Sequence, residues 1–425
     1  MGPQRVIQLF EHDELRLGDL HGYVEILDRD CELLSRLHGQ TGGRYYDLIH
    51  QGVKFKQYVG VLKAGSLVIE VLPKGDRHAK KELSPDDKLP WRTLFVQLLS
   101  RIGYIKTDLG PRSSVFLQHG SLIDLYVRHF LQATRDICRQ GLVKTYIPRT
   151  KTRHALKGQI QFRRQFIREV RGVVGFDTRA AEYEKGHVLN RLLLTALKTV
   201  KECRLSSVNQ DLLPELFGYF EGVSPLESSA QILAALQFDR RTERYRTAID
   251  LAKPILLDAF PGVRAGLDDT FSMLFDMNRV WERYIFCELR WHAAEKGVRV
   301  DRQVSASFWG GRSVRPDIVV YLGNGKQVVI DTKWKVLDRP DPSDHDLYQM
   351  FIYNKQVEAL HSILLYPDVY GLEGRGFQFE APQGLSDHGC SVDFARIWRM
   401  HEGKISLNHD VGAEVWRMVQ KVLVG

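Results

Sequence analysis

The sequence predicts a multidomain chain mixing α+β and α/β architecture: a β-rich amino-terminal module, a mainly helical middle region, and a carboxy-terminal mixed sheet flanked by helices. Three observations carry this. Near residues 53–71 apolar and polar positions follow strand grammar; from Trp91 to about Leu257 apolar residues recur at helical spacing; beyond residue 268 the segments run in the order αβββαβ. With 425 residues the chain is long enough for two or three cores, and composition shifts place the boundaries at 1–90, 91–260 and 268–425.

In the first module, VIQLFEH reads as a strand. VKFKQYVGVLKAGSLVIEVLPK holds two more around a Lys63-Ala64-Gly65-Ser66 turn, with Val53 and Phe55 alternating against Lys54 and Lys56. The charged stretch from Gly75 to Trp91, with its two prolines, reads as a linker. WRTLFVQLLSRIGYI, SLIDLYVRHFLQATRDICRQGLV and LNRLLLTALKTVKECRL then follow as amphipathic helices. Pro148 interrupts this series, and after it come Arg149, Lys151, Arg153, Lys157, Arg163, Arg164, Arg168 and Arg171. Such runs are more often solvated faces than binding surfaces. Apolar interleaving in LKGQIQFRRQFI nevertheless predicts an ordered strand or hairpin, for which contact with phosphates is the functional alternative.

Pro261 to Asp269 reads as a second linker. Beyond it the spacing predicts a helix over FSMLFDMNRVWERYIFCELRWHAAEK, a strand near VRVDRQVSAS, and a hairpin over Arg315–Lys335. A Pro- and Asp-rich loop, the helix LYQMFIYNKQVEALH, the strand SILLYP, shorter strands near FQFE and CSVDFARIW, and a terminal amphipathic helix complete the order.

The hairpin concentrates the chemistry. Its apolar runs IVVYL and QVVI flank Gly-Asn-Gly, and folding about Asn324 sets Ile318 against Ile330, Val319 against Val329, and Asp317 against Asp331. Lys333, two residues beyond Asp331, shares its face. Two acids and an amine thus converge at the end of an otherwise apolar hairpin. Like charges facing each other on a sheet repel, and a divalent cation such as Mg²⁺, held by Asp317, Asp331 and the Thr332 carbonyl, would resolve the conflict. The bland alternative is a surface hairpin ending in an Asp–Lys salt bridge; the unbroken hydrophobicity of both strands weighs against it, since buried strands seldom end in unpaired charge.

Composition narrows the partners. A net charge of +8 and a pI near 9.1 favour a polyanionic partner. No apolar run reaches the roughly 20 residues of a membrane helix, and no signal-peptide region opens the chain, so a cytoplasmic location is the expectation. Five scattered cysteines offer neither a disulfide framework nor a zinc motif, and His388 with Cys390 lacks a second ligand pair. No GxxxxGK[ST] phosphate loop is present, so the chain is not expected to hydrolyse GTP itself.

Pro316-Asp317 followed by Asp331-Thr332-Lys333, in αβββαβ order, resembles the PD-(D/E)XK nuclease superfamily. That resemblance implies a restriction-endonuclease-like core, with Glu282 of NRVWERY as an acid on the preceding helix and Gln349 and Tyr353 as a Q-x-x-x-Y face on the helix that follows. A solvated helix glutamate and plain packing are the competing readings of these positions. YVGVLKAGSLVIEVLPK, LKGQIQF, EYEKGHVLN and the WERY…RPD…DTKWK…YQMFIY core together resemble McrC, the endonuclease-subunit family of McrBC modified-cytosine restriction systems. This implies Mg²⁺-assisted cleavage of DNA, with Asp317 and Asp331 holding metal, Lys333 positioning water and Glu282 completing the shell. The implied partner is a McrB-type AAA+ GTPase hexamer that uses the GTP and is stimulated by the amino-terminal part. Pairing of two copies would serve double-strand cleavage. Two other readings stay open at this level: a self-sufficient repair-type nuclease, and a catalytically silent adaptor that activates a partner NTPase.

Overall fold

The computed structural model describes residues 5–73, 85–104, 122–201, 207–226, 230–257, 270–380, 388–401 and 404–424. The division of the chain differs from three consecutive modules. It forms two compact units, Met1–Leu122 together with Leu274–Gly425, and Ile123–Met273, so the second is an insertion in the first. The proposed linker at 261–269 and most of that at 75–91 lie outside the described residues.

The amino-terminal part of the first unit is β-rich, but not purely so. Strand β1 (Arg5–Phe10) is followed by helix α1 (Asp28–Thr41), then by β2 (Tyr58–Ala64) and β3 (Leu67–Leu72). β1 pairs parallel with β3, and β2 pairs antiparallel with β3 around the expected turn. A parallel pair needs a crossover, which α1 helps to provide and strand periodicity alone does not reveal. Ile7, Leu9, Leu62, Leu67, Ile69 and Val71 form the core with Leu34 and Leu37 of α1. The stretch read as a charged linker ends differently: α2 runs Pro85–Arg101 and contains Pro90.

The second unit begins with α3 (Leu122–Gln140), then a ribbon of β4 (Thr145–Arg153) and β5 (Phe176–Glu184) paired antiparallel from Thr145↔Glu184 to Arg153↔Phe176. The basic segment is therefore ordered, though only Gln159–Ile160 of LKGQIQFRRQFI is strand and Phe162–Val170 is helix α4. Helices α5 (Val188–Lys201) and α6 (Arg246–Leu257) build the core, where Tyr245 donates to Asn190 at 2.9 Å and Tyr126 to the Leu251 carbonyl at 2.7 Å.

The chain re-enters the first unit through β6 (Thr270–Asp276), which lies beside β2 in the order β1-β3-β2-β6. FSMLFD is thus strand, correcting the single long helix expected there. The helix, α7 (Met277–Ala294), starts where the Asp276 side chain caps it by accepting from the Asn278 N–H at 3.0 Å. Next come β7 (Arg299–Arg302), β8 (Ala306–Trp309), β9 (Arg312–Val314), β10 (Ile318–Tyr321) and β11 (Gln327–Thr332). Then follow α8 (Asp344–Gln356), β12 (His361–Pro367), β13 (Arg375–Gln378), β14 (Gly389–Ala395) and α9 (Val411–Val424).

One mixed sheet runs β7-β10-β11-β12-β14-β13, with β11–β12 and β12–β14 parallel and the other pairs antiparallel. The expected helix–strand alternation holds, with the β8–β9 hairpin inserted into it and α8 ending at Gln356 instead of running to His361. Val319, Val329, Leu364 and Val392 pack against Met350 and Tyr353 of α8. α7 and α9 pack on each other and contact the same sheet. Val328, Val329 and Ile330 are fully buried, each worth about 1.5–3 kcal/mol, which fixes the hairpin register against a one-residue slip. Among the described residues no helix is long and apolar enough to cross a membrane.

Candidate active site

The site forms where β10 and β11 leave the middle of the mixed sheet. Their ladder reads Ile318↔Ile330, Val319↔Val329 and Val320↔Val328, the register expected from the sequence, and it stops one pair short of Asp317 and Asp331. Asp317 instead pairs its carbonyl with the Gln303 N–H at 2.9 Å. Its Oδ2 accepts from the Thr332 N–H and the Thr332 hydroxyl, both at 2.9 Å. Asp331, one residue earlier on β11, is 2% exposed.

Neither carboxyl sits comfortably as an anion. Burial raises the pKa of Asp317 against the opposing pull of the Thr332 bonds and the Lys333 charge. Burial and then the charge of Asp317 raise that of Asp331. Lys333 Nζ lies 2.9 Å from Asp331 Oδ2 as an ion pair, with no donor well aligned on that oxygen. The two partners shift in the same direction for different reasons. Burial works to lower the pKa of Lys333, but Asp331 and Asp346 outweigh it and hold the ammonium protonated. Asp331 has one cation near it, Lys333, and two acids, Asp317 and Asp346, and there burial and the acids win.

Glu282, on α7, is half-buried and joins this group. Gln303 Nε2 donates to Glu282 Oε1 at 2.8 Å and approaches Asp317 Oδ1 at 3.4 Å, tying the two acids together. Burial and the Asp317 charge push Glu282 up to about 6, against Gln303, Arg302 and Arg279. It is not the solvated helix glutamate of the bland reading, and neither is Glu288 on the same helix, which is buried against Arg101. From α8, Gln349 Oε1 accepts from Lys333 Nζ at 2.8 Å, Gln349 Nε2 donates to the Tyr353 hydroxyl at 2.7 Å, and Tyr353 donates to the Arg315 carbonyl at 3.3 Å. Asp317, Asp331, Thr332, Lys333, Glu282, Gln349 and Tyr353 therefore all meet in one place.

Two members were missed. Asp346 lies 3.4 Å from Lys333 Nζ and also accepts from Ser343 and Tyr366. Its signal was available: it stands three residues before Gln349, on the same helical face, behind the Ser343 cap. Gln303 carries no such signal, since its role depends on a left-handed backbone, φ 55°, between β7 and β8.

A cation fits this chemistry in part. Buried, mutually repelling carboxyls and an Asp331 oxygen with no aligned donor are what a hard divalent ion would satisfy. Among the described residues no group of three His, Cys, Asp or Glu side chains is spaced as a complete ligand set, so the remaining ligands would be carbonyl and water, as Mg²⁺ tolerates.

The basic candidates belong to the second unit. Arg149 pairs with Glu184 at 2.9 Å, and Lys151 and Arg153 with Glu182 at 2.7 and 2.6 Å, all across the ribbon. Arg163 and Arg164 are exposed on α4, whose residues are nowhere buried and whose Phe162, Phe166, Ile167 and Val170 face outward.

Known proteins share this architecture. The family model described as McrBC 5-methylcytosine restriction system component matches residues 53–367. Over 183 residues the chain is 22% identical to the type IV methyl-directed restriction enzyme EcoKMcrBC of Escherichia coli strain K12, 42% of this chain and 51% of that protein. The chain thus spans about half the length of the curated relative it matches. The McrB–McrC half-complex from a tetradecameric assembly of Thermococcus gammatolerans contains a chain that superposes with a TM-score of 0.58 at 19% identity, covering 97% of this chain and 100% of that one. A chain of the McrBC complex from the same organism covers 66% of this chain and 86% of its own length at 20% identity, with a TM-score of 0.46. The first of these likenesses extends the shared fold over nearly the whole chain.

Proposed function

The chain belongs to the McrBC family of 5-methylcytosine restriction system components, and from that premise we propose that it is the DNA-cleaving subunit, a PD-(D/E)XK nuclease that acts with a McrB-type AAA+ GTPase hexamer and stimulates its GTP hydrolysis. The single observation that carries the nuclease reading is the convergence of Asp317, Asp331 and Lys333 at the end of a fully buried hairpin, both carboxyls shifted toward the neutral form by burial and Asp331 also by the charge of Asp317. A fold has no use for such an arrangement unless a cation or a reacting group relieves it.

In this reading Asp317 and Asp331, with the Thr332 carbonyl and waters, would hold Mg²⁺, which supplies Lewis-acid stabilisation of the phosphoryl charge and an acidified water. Lys333 enters as a cation, since Asp331 and Asp346 keep its proton on. Its role is to hold the attacking water and offset charge on the phosphate oxygens, not to act as a base. Glu282, pushed up to about 6, is poised to accept a proton from water near neutral pH. Gln349 aims Lys333, and Tyr353 aims Gln349.

The partner and the modified-base preference are drawn from the relatives: the solved half-complex joins McrB AAA+ hexamers to McrC, and the curated relative is methyl-directed. Cleavage of methylated and unmethylated plasmid, with and without the AAA+ partner, GTP and Mg²⁺, tests the whole reading. Methylated DNA should be cut only by the complete mixture. Asp331→Asn should reduce cutting by at least about a hundredfold while leaving GTPase stimulation in place. Cutting by the Asp331→Asn complex at the wild-type rate would sink the assignment of the site.

A further inference from the structure

Between the acid-bridging Gln303 and Pro316 lies a hairpin that the site above does not use. β8 and β9 pair Ala306↔Val314, Ser307↔Ser313 and Trp309↔Arg312, with a bulge at Phe308. Gly310 and Gly311 close it in left-handed conformations, φ 52° and 80°, and an added Cβ at either would meet nothing within 4 Å. The tip therefore stands clear of the rest of the described chain. Its base does not: Val304 and Val314 pack against the sheet core, and Tyr353 donates to the Arg315 carbonyl.

The tip is chemically unusual for a free loop. Phe308 is 46% and Trp309 70% exposed, and Tyr348 of α8, a helix that β8 contacts, is 70% exposed. Arg312 lies 5.8 Å from the Trp309 ring centroid, and Arg315 is exposed. From Gln303 to Pro316 there is no Asp or Glu. Exposed aromatic faces interleaved with guanidinium groups and free of acid are suited to a polyanion whose bases or sugars offer flat apolar faces.

Its distance from the chemistry is bounded by the chain itself. Arg312 and Asp317 are five residues apart, so the backbone at Arg312 lies within about 17 Å of the acidic site. That is about five steps of a duplex rising roughly 3.4 Å each. We infer that the β8–β9 hairpin is a wing that grips double-stranded DNA beside the scissile phosphate, Trp309 and Phe308 lying against the apolar faces of backbone sugars and Arg312 on a phosphate. The inference rests on the nuclease reading for what the site cuts, but not for what the wing binds.

The test uses the full chain, alone and assembled with its AAA+ partner, and a fluorescein-labelled duplex in EDTA, read as equilibrium affinity over a salt series. Trp309→Ala should weaken binding about tenfold, and Trp309→Phe should restore most of it. Arg312→Ala should lower the slope of log K against log salt by about one. Trp309 is exposed, so equal thermal midpoints for these variants exclude misfolding as the cause. The wing falls if wild type binds no duplex in either form, if Trp309→Ala matches wild type throughout, or if that variant loses only its association with the AAA+ partner. The two readings fail separately. If wild type cuts and Trp309→Ala binds and cuts equally well, the wing is wrong and the nuclease stands. If wild type never cuts but Trp309→Ala still weakens binding, the nuclease is wrong and the wing stands.

Discussion

Three carboxyls share one small volume, and burial raises all of them, so their protonation is coupled to folding. Glu282 shows the sign. Its folded value is raised to about 6 from the ordinary 4.5 of an exposed glutamate, so the folded state holds a proton that the unfolded chain has already lost. The stability this contributes is full below pH 4.5 and lost as pH rises through 6, about 2 kcal/mol in all. The protein without divalent ions should therefore lose thermal stability across that interval, and Glu282→Gln should flatten the dependence; a wild-type midpoint that rises from pH 4.5 to 6.5 while the variant's stays level would contradict it. A divalent ion acts oppositely, because it favours the ionised carboxyls. Mg²⁺ at tenfold above its dissociation constant should add about 1.4 kcal/mol at pH 7, less at pH 5, and nothing to Asp331→Asn, measured by the thermal midpoint with and without ion. At this scale the sequence was most legible where spacing decides position. Asp317, Asp331 and Lys333 follow from strand alternation, and Gln349 was reached through the superfamily resemblance, whereas Gln303 depends on one left-handed residue that no local pattern announces.

At the level of elements, the β10–β11 register was readable because both strands are buried on both faces, and a slip would expose what must stay covered. The start of α7 was not. Phe271 to Asp276 carries enough apolar residues to extend the helix backward on paper, but the Asp276 cap ends it and β2 offers those residues a strand to pair with. A tertiary partner overrode the local period, as it did for α1, which strand-rich surroundings concealed. Helix α9 was found, but not what seats it. A Cβ on Gly412 would meet the Glu288 carbonyl oxygen of α7 at 2.4 Å, so the glycine lets the two helices touch backbone to backbone. Gly412→Ala should push α9 outward and destabilise the first unit by about 1–3 kcal/mol, read by chemical denaturation; an unchanged midpoint would mean that α9 shifts freely.

Across the whole molecule, the division into two units was the least legible feature, because linkers and composition mark sequence neighbours and the first unit is made of distant halves. Those halves are joined at the site itself. Trp334, next to Lys333, donates its indole N–H to the buried Glu11 at 2.9 and 3.0 Å and packs on Trp281, while the Met277 N–H donates to the Gln57 carbonyl. Trp334→Phe removes a donor from a buried carboxylate and should cost about 1–3 kcal/mol. Calorimetry should show two transitions, one for each unit, with Trp334→Phe lowering only that of the first; equal movement of both would argue that the units melt as one. The same discontinuity has a meaning for synthesis. Strand β2 is complete at Ala64, but β6, which covers its outer edge, starts at Thr270, roughly 200 residues later. At about 5–20 residues per second a ribosome needs about 10–40 s to deliver it. Throughout that interval the emerging polypeptide carries an open apolar strand edge, the kind of surface that invites pairing with another chain until β6 arrives to cover it.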